Sequence, residues 1–413
     1  MAQIKPFAAI RPANGLEEQV AALPYDVYNR AEAKKEIKDR PLSFLRVDRP
    51  ETSFDDSVAT YDDCVYNKAS ELFSRLQADG ILTQEEKPCY YIYELTMNQR
   101  SQTGLVACAS IDDYQTGVIM KHENTREEKE IDRIKHVTAL DAQTGPIFLA
   151  YSANELIHNI IEHEKMKQPL FVFTAPDGVQ HKGWIINDEL KIEQIFNTFQ
   201  RINKIYIADG HHRCASAVKV GLKKRSEASV FDENAEYNYF LSVLFPDDQL
   251  MIMDYNRVIK DLNGLNEAEF IEKLNQSFFI EKITEKSIRK PLKKGNISMC
   301  LKSGWYALEI KEACRNSDPV DGLDVSILQN CVLSEILGIQ DPRIDNRIDF
   351  VGGIRGLVEL EKRVNTDCAV AFAMYPTSIG ELFAVSDAKK LMPPKSTWFE
   401  PKLRSGLFIH SIK

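Results

Sequence analysis

The densest chemistry in this sequence lies in Ile205-Tyr-Ile-Ala-Asp-Gly-His-His-Arg-Cys-Ala-Ser-Ala217. A strand-like apolar stretch runs into Asp209-Gly210, and the small residues Ala215, Ser216 and Ala217 then suit a helix. The first N–H groups of a helix lack intrahelical acceptors, and the helix dipole places its positive end there. Gly210 lets a ligand approach the backbone closely. Arg213 can fork onto phosphate oxygens, in charge-assisted bonds of roughly 1.5–3 kcal/mol. His211 and His212 add donors. Two histidines and an arginine crowding one helix start point to a phosphate cradle rather than to a plain turn. Asp209, His211 and His212 also have metal-binding side chains, but neighbouring histidines on a helix diverge, so no metal site is assigned.

Three further clusters offer reactive groups. Lys121-His-Glu-Asn-Thr125, with Asp132-Arg133 downstream, supplies His122 and Glu123 as a base, a ligand or a hydrogen-bond partner. A salt-bridged helix reads equally well from that composition. In Leu23-Pro-Tyr-Asp-Val27, Pro24 stiffens a loop that can present the Asp26 carboxylate. The segment from Lys389 to Lys413 holds six Lys/Arg against one Glu, and its prolines exclude a regular helix across Met392–Gly406. Lys395, Ser396, Thr397 and Lys402 could there meet a phosphate or a substrate carboxylate, or form a basic surface tail.

Familiar alternatives drop out. No Gly-Lys-Ser/Thr is present, so this is not a P-loop. Gly352-Gly-Ile-Arg-Gly356 does not fit GxGxxG, and His158-Asn-Ile-Ile-Glu-His163 has the wrong spacing for a zinc-protease helix.

The elements that must position these groups are of both kinds. Residues 57–79 repeat apolar side chains at three- and four-residue steps, which predicts a helix ending at Gly80. Cys89–Leu95 and Gly104–Ile111 predict strands joined by a loop over Asn98–Thr103. The charged run 121–136 predicts a mostly solvated helix face. Phe148–Tyr151, Leu170–Thr174, Trp184–Asn187 and Lys204–Ala208 predict more strands. Asn238–Phe245 and Leu250–Asp254 predict a second hairpin across Pro246–Gln249. Beyond residue 260, helical stretches (265–276, 323–337) alternate with short strands (297–301, 305–310, 368–374). The expected class is α+β with mixed sheets and packed helices, in two parts, 1–255 and 256–413.

Composition bounds the function. The chain has 413 residues, 61 acidic against 52 basic, for a net charge of −9. General nucleic-acid binders carry a basic excess, so nucleic acid is not an expected partner. No apolar run reaches the roughly 18 residues of a membrane span. The first residues lack a signal-peptide pattern, and the eight cysteines form no CxxC pair. These features predict a cytoplasmic protein with reduced thiols. Whether it forms a homo-oligomer is left open.

The motifs together resemble a bacterial and archaeal family, the domain of unknown function numbered ten-fifteen, whose members carry the label SpoOJ/ParA/ParB/RepB family protein. The resemblance rests on Pro24-Tyr-Asp26, Leu42-Ser-Phe-Leu-Arg46, His122-Glu-Asn-Thr125 with Asp132-Arg133, Ala208-Asp-Gly-His-His-Arg213, and Pro394-Lys-Ser-Thr397 with Pro401-Lys402 and Ser405-Gly406. The Asp-Gly-His-His-Arg box also resembles the phosphate-binding box of the ParB/sulfiredoxin superfamily, which implies a ParB/sulfiredoxin-like N-terminal part and a nucleotide held at a helix start. Sulfiredoxins place a cysteine before the His-Arg pair. Here His211 stands there and Cys214 follows the arginine, which disfavours that reaction. No helix-turn-helix follows the box, which disfavours a DNA-partition role.

The remaining branch, kinases of free serine, implies an ATP-dependent kinase that converts L-serine to O-phosphoserine. On that resemblance Gly210, His211, His212 and Arg213 hold the phosphates and stabilise developing charge. Asp26 or Glu123, and less so Asp209, serves as base. Lys395 or Lys402 neutralises phosphate or carboxylate, and Mg²⁺ accompanies the nucleotide. ATP, ADP and CTP stay open as the nucleotide. The rival readings are a nucleotide-binding regulator and a ParB-like DNA-associated protein, each without kinase activity.

Overall fold

The computed structural model describes residues 1–413. They divide into two compact units, one formed by residues 1–250 with 401–413 and the other by residues 251–400. The division therefore comes a few residues before the expected 255/256 boundary. The last thirteen residues also belong to the first unit, not to the second part as expected. Backbone pairing is the reason: Ile409 bridges Ile10, Ser405 bridges Ala22, and His410–Ser411 pairs with Ala142–Gln143.

The first unit is built on a nine-stranded mixed sheet. Its strands are β1 (Ile4–Lys5), β2 (Tyr90–Met97), β3 (Arg100–Ser110), β4 (Ile119–Met120), β5 (Ile147–Tyr151), β6 (Phe171–Thr174), β7 (Gln180–Ile186), β8 (Ile205–Asp209) and β9 (Tyr239–Pro246). Their order is β4-β8-β5-β9-β3-β2-β7-β6, with β1 paired to β3. β8 runs parallel to β4 and antiparallel to β5, so its end lies in the interior of the sheet path. The residues Ile92, Leu105, Leu149, Ile207, Phe240 and Leu244 pack in one buried core across these strands.

The predicted loop over Asn98–Thr103 is in fact a two-residue turn. Met97 faces Arg100, and Asn98 and Gln99 both have positive φ, 51° and 65°. That geometry matches strand twist, and asparagine tolerates it better than most residues. Gln102 and Thr103, polar enough to suggest a loop, are buried strand residues.

Three helices matter for the site: α1 (Asp63–Ala78), α2 (Glu127–Leu140) and α3 (His211–Glu227). α1 starts later than the periodicity suggests, because the Asp62 side chain accepts the Cys64 N–H and caps it there. The α2 run is a solvated face only in part: Glu127, Glu128 and Lys135 are exposed. Glu130, Asp132, Arg133 and His136 are all buried, and only residues from 127 onward are helical. The Ser216 hydroxyl of α3 donates to the Glu130 carbonyl of α2 at 3.1 Å and ties the two helices together.

The second unit holds a six-stranded, wholly antiparallel sheet. Its strands are β10 (Tyr255–Ile259), β11 (Phe278–Ile283), β12 (Asn296–Leu301), β13 (Gly304–Ile310), β14 (Ile348–Gly352) and β15 (Val370–Ala373), in the order β11-β13-β12-β15-β10-β14. Helix α4 (Glu267–Leu274) lies where the 265–276 periodicity predicts it. The 323–337 stretch is instead a short helix, Asp324–Leu328, followed by a wide π-type turn, Gln329–Ser334. The predicted second hairpin does not form. Both edges of β9 are taken, by β3 and β5, and Ile252–Met253 pairs with Trp398–Phe399.

All eight cysteines are free thiols, and no helix is long and apolar enough to cross a membrane.

Candidate functional site

The Asp-Gly-His-His-Arg box is a bulged strand end feeding a helix. Ile207 faces Leu149, but Asp209 faces Phe148, so an extra residue is accommodated just before the turn. Such bulges re-aim side chains at strand ends. Gly210 then adopts φ +91°, a conformation that strongly favours glycine, and α3 begins at His211 with no side-chain cap. The uncapped N-terminus is the donor-rich, positive end of a 17-residue helix.

Cations gather on the same turn. The Lys402 ammonium lies 3.2 Å from the Asp209 carboxylate, and the Arg213 guanidinium 3.9 Å from it. Burial would raise the Asp209 acid, but Lys402 and Arg213 outweigh that and bring it down to about 2. A carboxylate held ionised in this way anchors cations and is a weak proton acceptor. Arg213 also donates to the Pro146 carbonyl at 2.6 Å. A Cβ added at Gly145 would meet Ser405 Oγ at 3.0 Å and Arg213 at 3.4 Å, so only a glycine fits between them unaltered.

The two histidines diverge. The His212 ring accepts the Arg126 backbone N–H at 2.9 Å. His211 turns the other way and meets His122 edge to face, ring centroids 4.5 Å apart. Both of these rings are nearly fully buried. Burial, the largest influence, lowers His122 to about 4 and places His211 well below its ordinary value, so both are neutral at pH 7. The Ile207 carbonyl lies near the His122 ring, yet neither ring nitrogen has hydrogen-bond geometry to a partner, and Nε2 of His211 has none either. An unsatisfied buried polar atom costs about 1–3 kcal/mol. Glu123 completes this corner, with ligand atoms of all three residues within 4.8 Å of one another.

A second polar cluster sits beside Arg213. Arg133 binds Asp132 through two nitrogens, at 2.9 and 2.8 Å, and stacks 3.9 Å from the Tyr25 ring centre. The Tyr66 hydroxyl donates to Asp132 at 2.9 Å. Asp48 accepts the Thr144 hydroxyl at 2.8 Å, and His136 lies over it at 4.0 Å while pairing with the Val47 carbonyl. A cleft lined by Pro24, Tyr25, Asp48, Arg133, Thr144, Gly145, Arg213 and Ser405 joins these groups to the box.

Of the residues picked out in sequence, Asp209, Gly210, His211, Arg213 and Lys402 come together at the turn, and His122 and Glu123 join them through His211. Asp132 and Arg133 line the neighbouring cluster. Asp26 is exposed on a short 3-10 turn, Tyr25–Val27, next to the cleft residue Tyr25. Arg46 is structural, donating to the Ile37 and Arg40 carbonyls.

Lys395, Ser396 and Thr397 belong to the second unit. There Lys395 lies 5.5 Å over the Tyr255 ring, and Ser396 closes its loop by donating to the Pro393 carbonyl. Sequence reasoning missed Asp48, His136 and Thr144. His136 was findable, since it follows Asp132 by one helical turn on the same face. Asp48 and Thr144 carry no such spacing.

A family model described as a protein of unknown function, DUF1015, matches residues 4–326. The chain belongs to that family. No curated protein matches the sequence. Among solved structures, similarity is found to a free serine kinase in complex with AMP, at 14% identity, TM-score 0.37, covering 73% of this chain and 91% of that one. Similar too is SbnI with a C-terminal truncation from Staphylococcus aureus, at 13% identity and TM-score 0.38, covering 74% and 87%. A conserved hypothetical protein from Pyrococcus furiosus follows at 14% identity and TM-score 0.36, covering 74% and 95%. Likenesses this loose leave function to be read from the residues themselves.

Proposed function

We propose that this protein is a nucleotide-dependent phosphotransferase, and more narrowly an ATP-dependent kinase that phosphorylates free L-serine. The observation that carries the reading is the turn itself: a bulged strand, a left-handed Gly210, an uncapped helix start, and Arg213 and Lys402 drawn to Asp209. Backbone N–H groups and the fixed cations would hold the phosphates and stabilise charge during transfer without reorganising. Mg²⁺ would enter with the nucleotide as part of the substrate. Asp209, pinned between cations, is an anchor in this reading. The base is Asp26 or Glu123, and the choice is wrong if Asp26→Asn and Glu123→Gln both keep full turnover. The serine acceptor is supported by the resemblance of the box to that of free-serine kinases.

The test is product formation. Purified protein is incubated with L-serine and Mg·ATP, and separately with ADP and with CTP, and products are read by mass spectrometry. Phosphoserine that disappears in Arg213→Ala supports the kinase. Nucleotide binding with no phosphorylated product would favour the regulatory reading, and preference for CTP with a salt-sensitive DNA shift would favour the ParB-like one.

A further inference from the structure

From the corner formed by His122, Glu123 and His211 we infer a binding site for a divalent first-row transition metal, of the Zn²⁺, Co²⁺ or Fe²⁺ class. It stands independently of the phosphotransfer reading. Three facts place it. The ligand atoms of the three residues lie within 4.8 Å of one another. His122 is 1% and His211 6% exposed, so their rings are out of bulk water. Nε2 of His211 has no hydrogen-bond partner, and the His122 nitrogens have none beyond the poorly aligned Ile207 carbonyl, an arrangement that buried imidazoles avoid unless something else binds them.

The donor set chooses the metal. Two imidazole nitrogens and one carboxylate suit zinc and its neighbours, whereas Mg²⁺ and Ca²⁺ take oxygen ligands. Metal–ligand bonds of about 2.0–2.2 Å bring tetrahedral ligands to roughly 3.5 Å apart, so small side-chain rotations close the triad. The backbone is already held: His122 follows β4, which pairs with β8, and His211 opens the helix that β8 feeds. The nearby Ile207 carbonyl offers the kind of outer acceptor that fixes a ligating imidazole's tautomer. Three protein ligands would leave a coordination position for water or for an oxygen of a bound ligand. Glu123, so engaged, would leave Asp26 as the carboxylate for base duty.

The experiment uses tag-free, full-length protein stripped with a chelator. It is equilibrated with Zn²⁺ or Co²⁺, dialysed, and assayed for metal by mass spectrometry and for the visible bands of Co²⁺. We expect one ion per chain, nitrogen-ligand Co²⁺ bands, and affinity at least about tenfold weaker in Glu123→Gln and in His122→Ala. Wild-type protein that shows no such bands, or folded Glu123→Gln that binds as tightly as wild type, overturns the site. Because the Co²⁺ spectrum of the wild type is decisive alone, an unfolded histidine variant does not blur the result. Arg213→Ala keeps the three ligands and is expected to keep the metal, so loss of phosphate binding and loss of metal are read separately.

Discussion

Gly210→Ala probes the box at its tightest point. Gly210 has φ +91°, and a Cβ there would sit 3.0–3.1 Å from three atoms of the Arg213 guanidinium group. Placing a non-glycine residue in left-handed backbone costs about 1–2 kcal/mol. The guanidinium is the far end of a flexible side chain, so it yields instead of forcing the backbone. The stability loss should therefore stay near that 1–2 kcal/mol. The larger effect falls on ligand binding. Arg213 is aimed by its 2.6 Å bond to Pro146, and a shifted fork forfeits a charge-assisted bond to phosphate. At roughly 1.5–3 kcal/mol, that loss weakens nucleotide binding by about 10- to 150-fold.

Urea denaturation reads the first quantity and nucleotide titration the second. Gly117→Ala is the control: its φ is +77°, but nothing lies within 4 Å of the added Cβ. It should lose similar stability and keep nucleotide affinity. A Gly210→Ala protein that binds nucleotide like Gly117→Ala would refute the role given to Arg213 at this turn.

Two other perturbations test buried polar groups of the first unit. Burial lifts the Asp113 carboxyl from 3.8 to about 6 despite the Gln3 N–H it accepts at 2.6 Å. Folding then favours the protonated form, so this contribution is full below pH about 4 and is lost as pH rises through about 6, on the order of 2–3 kcal/mol in all. Asp113→Asn should remove that dependence, so its stability relative to wild type should rise between pH 4 and 7 in denaturation curves. A constant difference across that range would contradict the assignment. Arg133→Lys keeps the charge but loses the two-nitrogen grip on Asp132 and the stacking on Tyr25. It should destabilise the protein by about 1–3 kcal/mol in thermal melts, and an unchanged melting temperature would show that the cluster carries no such energy.

The strands were legible because their signal is local. Cys89–Leu95, Phe148–Tyr151 and Lys204–Ala208 are apolar runs that any sheet would bury, and β2, β5 and β8 lie on them. Pairing was less legible. Residues 238–245 and 250–254 look like a hairpin, yet nothing local shows that β9 already has a partner on each edge. The turn at 98–99 was blurred for a different reason: Ser101, Gln102 and Thr103 have loop-like side chains, yet they pair in register with Thr96, Leu95 and Glu94 just across a two-residue turn.

The box was legible because its chemistry and its geometry reside in the same few residues. The rest of the site was not, because it is assembled from segments that do not know of each other in sequence: Asp48, Thr144 and Ser405 meet only through the fold. The run 121–136 shows why composition misleads here. Five basic and five acidic residues suggest a helix facing water. The structure turns Glu130, Asp132, Arg133 and His136 inward, and a buried charge persists only when partners meet it. Tyr25 and Tyr66 meet the Asp132–Arg133 pair, and Lys219 meets Glu130. A helix that turns part of its charge inward beside a phosphate-type turn spends stability on placing polar groups. That is the arrangement expected where a polar ligand is to be held out of water.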